Sequence, residues 1–558
     1  METRTSRAFG VRVSDAGVYA DATIPCMLAL LAFGACLPCH AAVVESYART
    51  GMGRSFQSLN RANAVEDFTQ TNSVLHAASQ SRFTMLERDG RFYMRRDHAT
   101  AGSAEKEMHY VLGSGNHARS YVHRTPEGRL LALPVSWYRG PQGGYWQMAP
   151  GFDRADHPHF RRRIGYDCFF CHNGYPKLPA NADPADPVYL TPLPEGIDCS
   201  RCHGSAAEHL RKPVRGNILN PRKLPAARQL EVCMQCHLET TSQPLPFAVR
   251  RFGREFFSYD PTEPLGSYMV HFDHEDRPPW NEKFEVVSAP YRMMQSPCYQ
   301  KSGGRMTCTT CHNPHERPSQ NDAACRSCHG PEQASRAHAN RVEAKQNCIP
   351  CHMSRRAPED APLTTFTDHR ISRRPDTRPG PVLGAYTGSV RIFWPPKEDL
   401  RTYREIANAW DFRNPLPEHP EAILFVADKT EKPEFYQAVI QADPRLLGGW
   451  RGLARSRFPD LSPIRSALSR FPADPFLLTL QGEALRLAGR LSDAERASRA
   501  AIAADPDQPE PYVNLGVLMA QQGRLAEAIA LFRASLAIDP NNKAAEGNLR
   551  LALRSRQE

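Results

Sequence analysis

Seven times in this chain, two cysteines separated by two residues are followed at once by a histidine. The copies are Cys36/Cys39/His40, Cys168/Cys171/His172, Cys199/Cys202/His203, Cys233/Cys236/His237, Cys308/Cys311/His312, Cys325/Cys328/His329 and Cys348/Cys351/His352. Two thiols at this spacing can each form a thioether with a vinyl group of one porphyrin. The adjoining imidazole then turns back onto the iron. Chance at these cysteine and histidine frequencies gives about 0.02 copies of the pattern. Zinc sites also use paired Cys-x-x-Cys units, and secreted chains use cysteines for disulfides. Neither explains a histidine after every second cysteine. Seven covalent haem c groups are therefore expected, held by fourteen of the 16 cysteines.

An electron-transfer haem needs a second axial ligand, usually His or Met. Outside the motifs, His76, His117, His123, His209, His271, His274, His315, His338 and His369 are candidates. His315 lies too close to His312 to cross the same ring, but can reach a neighbouring haem and lock two motifs together. His209, after His203, can do likewise. His369 follows the last motif beside Asp368 and Arg370, and Gly113-Ser-Gly-Asn-His117 reads as a tight loop presenting His117 inward. His98, His157, His159 and His419 read as surface residues. Cys298 is left unassigned and reads as a buried, inert thiol.

These residues must be held by something, and the composition limits what. The 558-residue chain suits two or three domains, and its 48 prolines suggest a loop-rich fold. The motifs fall within residues 36–370, too short a span for an ordinary core around each cofactor, so packed porphyrins are expected to form much of the interior. The formal charge is +10. Two propionates per haem would bring the oxidised protein to about +3 and the reduced one to about −4. The basic excess thus reads as propionate partners, and no nucleic-acid partner is expected.

Residues 1–35 combine Arg4, Arg7 and Arg12 with an apolar run from Ile24 to Leu37, the pattern of a secretory signal. Export fits haem attachment outside the cytoplasm, so a periplasmic location is expected. Phe33-Gly34-Ala35-Cys36 also resembles a lipoprotein cleavage site, which keeps open a membrane-anchored form facing the periplasm. Within the 36–370 cytochrome domain, residues 65–150 carry the signature of a small antiparallel β subdomain. Apolar residues alternate on both sides of Asp89-Gly90, and again around Pro126-Glu127-Gly128. Residues 371–420 read as a proline-rich surface linker. From 421 to 558 the composition turns to Ala, Leu, Arg and Glu. Here Gly482/Gly516, Ala494/Ala528 and Asp505-Pro506/Asp539-Pro540 recur at an offset of 34 residues. That period is the one of tetratricopeptide repeats, with weaker units from Asp443 and near Glu421. The expected fold is mainly α: an irregular, haem-packed cytochrome domain, the β subdomain, and a C-terminal α-solenoid.

Gly113 to Tyr121, Leu133 to Tyr138, Gly144-Tyr-Trp146, Cys168 to Asn173, Cys308 to His315 and Cys348 to Arg370 give the chain a wider likeness. It resembles bacterial multihaem cytochromes c with C-terminal tetratricopeptide repeats. These are distant relatives of the tetrahaem cytochromes that receive electrons from hydroxylamine oxidoreductase. The resemblance implies an exported electron carrier with mostly bis-histidine haems, and it favours His76, His117, His209, His315 and His369 as distal ligands. The departure is at the N-terminus, where an apolar run replaces a polar lead-in. The leading expectation is electron transfer, with the repeats docking a redox partner. The alternative is an oxidoreductase acting on a small nitrogen or sulfur compound at one open-coordination haem.

Overall fold

A computed structural model describes residues 34–141, 143–240, 247–275, 280–318, 322–330, 332, 338, 347–373, 386, 388–396, 398, 400–408 and 416–556. The expected signal segment lies almost wholly outside the described residues. Among them, no helix is long and apolar enough to cross a membrane.

The β subdomain is built from two antiparallel sheets. Ser73–His76, Ser81–Arg88, Arg91–His98 and Gly102–Glu107 form a four-stranded meander. Its central hairpin turns at Asp89 and Gly90, both at positive φ (51° and 75°), the geometry whose twist matches paired strands. Met85 pairs with Met94 across the hairpin, and both are fully buried with Phe83 and Phe92. The second sheet has seven strands and draws on residues outside 65–150: Phe56–Ser58 forms one edge and Arg162–Arg163 the other. Between the sheets lies a core that includes Phe68, Met108, Tyr121, Trp137 and Trp146.

The motif-bearing region is held by short helices and turns, and by two small sheets. One joins Ala248–Arg250, Met269–His274 and Val390–Trp394. Its third strand comes from the stretch expected to be a surface linker, and Val390 and Phe272 are fully buried. The β-branched and aromatic run Val-Arg-Ile-Phe-Trp outweighs the prolines around it. The N-terminal half is therefore mixed rather than mainly α.

The C-terminal quarter is a stack of helix pairs: Pro420–Thr430/Pro433–Ala442, Leu447–Ser456/Leu461–Arg470, Pro475–Leu487/Leu491–Ala504 and Glu510–Gln521/Leu525–Ile538, followed by Lys543–Ser555. Small residues set the packing distance within each pair. A Cβ added at Gly516 would stand 2.6 Å from the Phe532 ring, and at Gly482 2.6 Å from Ser498 Oγ.

The repeats dock onto the β subdomain through the corners between pairs. Arg129 donates to the carbonyl of Ala504, at the end of one helix, and Arg96 to that of Ile538, one repeat later. Arg163 pairs with Asp505, and Arg161 with Asp539 at 2.6 Å. Cations thus meet the negative ends of two helices in register with the 34-residue period. Lys106 adds a 2.6 Å bond to Asp507, and Leu447 N donates to Asp183 Oδ2 at 2.9 Å.

Candidate functional site

Each Cys-x-x-Cys-His unit folds as a helical turn, which brings its two thiols to one side. The backbone N–H of the histidine bonds the carbonyl of the first cysteine in His40, His203, His312, His329 and His352, at 2.9–3.1 Å. His172 and His237 close the helices Tyr166–His172 and Ala226–His237.

All seven motif histidines and every motif cysteine except Cys351 border one continuous cavity of about 3890 Å³. This is several times the about 300–1,000 Å³ of a pocket for one small molecule. The wall carries many basic side chains, among them Arg162, Arg163, Arg215, Arg222, Lys223 and Lys301. His172 and His237 lie deep in the fold and open onto this space, and burial lowers the pKa of both.

Histidine rings face one another across the cavity in pairs. His40 and His209 stand 6.3 Å apart between centroids, with planes 22° apart. His203 and His315 stand 6.0 Å apart at 8°, and His312 and His369 6.1 Å apart at 42°. His338 and His352 are separated by 5.7 Å at 76°. A metal atom bonded at about 2.0 Å by one ring nitrogen from each side holds two imidazole centroids about 6 Å apart. Rotation about the shared axis changes the angle between the planes and leaves that distance unchanged, so both 8° and 76° suit it. Among the described residues no three His, Cys, Asp or Glu side chains gather to hold a bare ion. Opposed pairs are what an iron already held by four porphyrin nitrogens requires of a polypeptide.

Hydrogen bonds aim several of these rings. His203 Nδ1 bonds the Leu219 carbonyl at 2.8 Å, and His352 Nδ1 that of Ser372 at 2.8 Å. His209 Nδ1 meets Asn217 Oδ1 at 2.9 Å, and His369 Nδ1 the Thr367 carbonyl at 3.0 Å. Fixing Nδ1 leaves Nε2 free to face a metal. Asp368, beside His369, is locked by Arg292 through bonds of 3.0 and 2.7 Å and by Arg356.

Neighbouring motifs touch through their thiols. The free thiols of Cys36 and Cys199, Cys171 and Cys236, and Cys233 and Cys308 lie close enough to shift one another's ionisation. The Cys171 contact, with Arg201 adding to it, lowers the Cys236 pKa, while burial pushes Cys202 up to about 11.

Other residues fall differently from expectation. His76 does not border the cavity: its ring bonds Ser79 Oγ at 2.7 Å and the Asp153 carbonyl at 3.3 Å, among the sheets. Its strand, Ser73–His76, sits in the four-stranded meander and carries it away from the motifs. His157 and His159, expected at the surface, are buried at 2 % and 0 % exposure: His157 packs among His76, Phe83 and Phe152, and the repeat domain covers His159. His159 Nε2 lies 3.2 Å from Asn541 there. Cys298 is exposed and borders the cavity, contrary to a buried thiol. His117 borders the cavity with its ring 4.2 Å from Phe366. His271 does too, buried and with Nδ1 unpartnered. His123 turns instead to the Glu107 carbonyl, and His274 packs on Trp280 and Tyr386.

Comparison with known proteins gives two separate likenesses. Residues 465–543 match the family model for tetratricopeptide repeats. The chain is similar to the multiheme cytochrome MtrA of Shewanella baltica (strain OS185), 24% identical over 181 residues. That match takes in 30% of this chain and 47% of the relative, so the chain spans about half the length of the curated protein it matches. Solved structures that resemble it include a thermophilic tetratricopeptide-repeat protein of Thermus thermophilus, at 25% identity and TM-score 0.22. That likeness covers 25% of this chain and 83% of the other. MamA protein is 18% identical at TM-score 0.22, over 25% of this chain and 82% of its own. The helix pairs within residues 465–543 are tetratricopeptide repeats, a fold that commonly mediates contacts between proteins.

Proposed function

We propose that this chain is an exported electron carrier in which seven haem c groups share the cavity. The supporting observation is the facing of motif histidines by histidines outside the motifs, at the spacing of two ligands on one iron. Each haem supplies a one-electron iron centre, and the chain supplies thioether anchors, axial imidazoles and a dry wall. On this reading His209, His315, His369 and His338 cap the irons anchored at His40, His203, His312 and His352. His117 and His271 are the next candidates. The likeness to a multiheme cytochrome is consistent with this reading, and so is the basic lining, which suits propionates. The repeats would dock a protein redox partner on surface left free by the β subdomain, and the location would be the periplasm.

Acid-acetone extraction of exported protein, followed by mass spectrometry, tests the reading. Seven haems should remain covalently attached, with low-spin spectra for the paired sites. Colourless protein after extraction would end it.

A further inference from the structure

Arg201 lies inside the third motif, between Cys199 and Cys202, and is 1 % exposed. Its guanidinium reaches two other motifs. Nη1 donates to the carbonyl of Asn173, the residue after His172, at 2.9 Å. Nη2 donates at 2.9 Å to Gln235 Oε1, inside the fourth motif, and lies 3.8 Å from Cys236 Sγ. The group also stacks over Phe170 at 4.7 Å and Tyr175 at 4.1 Å, measured to the ring centroids. The carbonyl, amide and ring partners are neutral, and Asp198 adds a negative charge nearby without bonding the guanidinium. Asp198, the acid nearest in sequence, spends one carboxylate oxygen on Ser200 Oγ and on the Arg201 backbone N–H. Arg201 Nε has no hydrogen-bond partner.

A guanidinium does not give up its proton in a protein, so this is a permanent cation in a dry interior. Burying a guanidinium to which no carboxylate is hydrogen-bonded costs stability, and packing alone would be served by an uncharged side chain. The charge sits where motifs two, three and four converge. We infer that Arg201 sets the reduction potentials of the three centres anchored at His172, His203 and His237, raising them above the rest. This inference rests on the electron-transfer reading. Reducing one such centre takes one electron from an external donor protein and turns ferric iron to ferrous. The donor loses one electron, no bond is made or broken, and no proton need move. The local charge falls by one, which a fixed cation favours, the more so at low dielectric. Electrons entering the cluster would therefore come to rest in its middle.

Spectroelectrochemical titration of the intact, haem-loaded chain tests this with Arg201→Met, Arg201→Lys and Gln235→Glu. The Met variant removes the charge, the Lys variant keeps it, and the Glu variant neutralises it with Arg201 in place. In the Met and Glu variants, the highest-potential part of the titration should move down. The expected size is about tenfold in the reduction equilibrium, or about 59 mV for a one-electron centre. The remainder of the titration, and the whole Lys profile, should stay close to the wild type. If Arg201→Met does not load haem, Gln235→Glu decides. Full haem loading with unmoved potentials in the charge variants overturns the inference. So does failure of all three to load, which would assign Arg201 to packing. A wild-type chain without covalent haem would instead overturn the electron-transfer reading itself, and this inference with it.

Discussion

The imidazoles of His203 and His315 lie within 8° of parallel and 6.0 Å apart, although they belong to different motif segments. His315 follows the fifth motif and faces the histidine of the third. If the two share an iron, His315→Ala should open the site at the third motif and leave the fifth intact. Covalent haem content should not change, while about one seventh of the haem turns high-spin by electron paramagnetic resonance. Replacing Cys199 and Cys202 by Ser in addition should abolish that signal. Replacing Cys308 and Cys311 should not.

The junction between the two halves turns on Asp186. It accepts a fork from Arg129 at 2.9 and 2.8 Å and also binds Arg163, which continues to Asp505. The Arg129 side chain is 7% exposed. Asp186→Ala would leave that cation only Glu127 at 3.6 Å and the Ala504 carbonyl, at a cost of about 3 kcal/mol. Thermal unfolding should begin earlier, and limited proteolysis should release the repeat domain faster.

Acid should act within the β subdomain through His157, which packs on Phe83 and Phe152. Burial is the main reason its pKa falls to about 4, with His76 and Arg96 adding to the effect. The unfolded chain, at about 6.5, takes up the proton first. The stabilisation is therefore complete above about pH 6.5 and is lost as pH falls towards about 4. A loss on the order of 2–3 kcal/mol is expected in urea titrations across that window. His157→Gln should flatten the dependence by removing its share.

Asp360 should respond in the opposite direction. Burial, then the neighbouring Glu285 charge, raise its pKa to about 7, and its carboxylate accepts the Val286 N–H at 3.0 Å. The folded state holds this proton more tightly than the unfolded one. Its contribution is complete below about pH 4 and is lost as pH rises to about 7. Asp360→Asn should stabilise the protein at pH 8 by on the order of 1–3 kcal/mol and leave it unchanged at pH 4. Paired melts at the two pH values would show it.

Local pattern carried much of this architecture. The Asp89-Gly90 hairpin announces itself through alternating side chains and a turn that needs positive φ. The repeats do so through glycines that recur where helices touch. The Cys-x-x-Cys-His units need nothing beyond one helical turn. What stayed hidden depends on contacts between distant segments. Nothing adjacent to His76 distinguishes it from His209, yet one bonds Ser79 and the other faces His40. His157 looks like a surface residue until Phe83 and Phe152 pack on it, and His159 until the repeat domain covers it. Arg201 is one arginine among many in the sequence, and its meaning comes from Asn173 and Gln235.

Three of the ring pairs share a direction: His209, His315 and His369 each come later in the chain than His40, His203 and His312. A polypeptide emerging N-terminus first presents its early anchors well before their opposite numbers exist. On the proposed reading, those sites would be closed in chain order, each by a residue that arrives after its anchor. An exported chain truncated between His209 and His315 would then carry haem at the third motif with no second histidine to close that site.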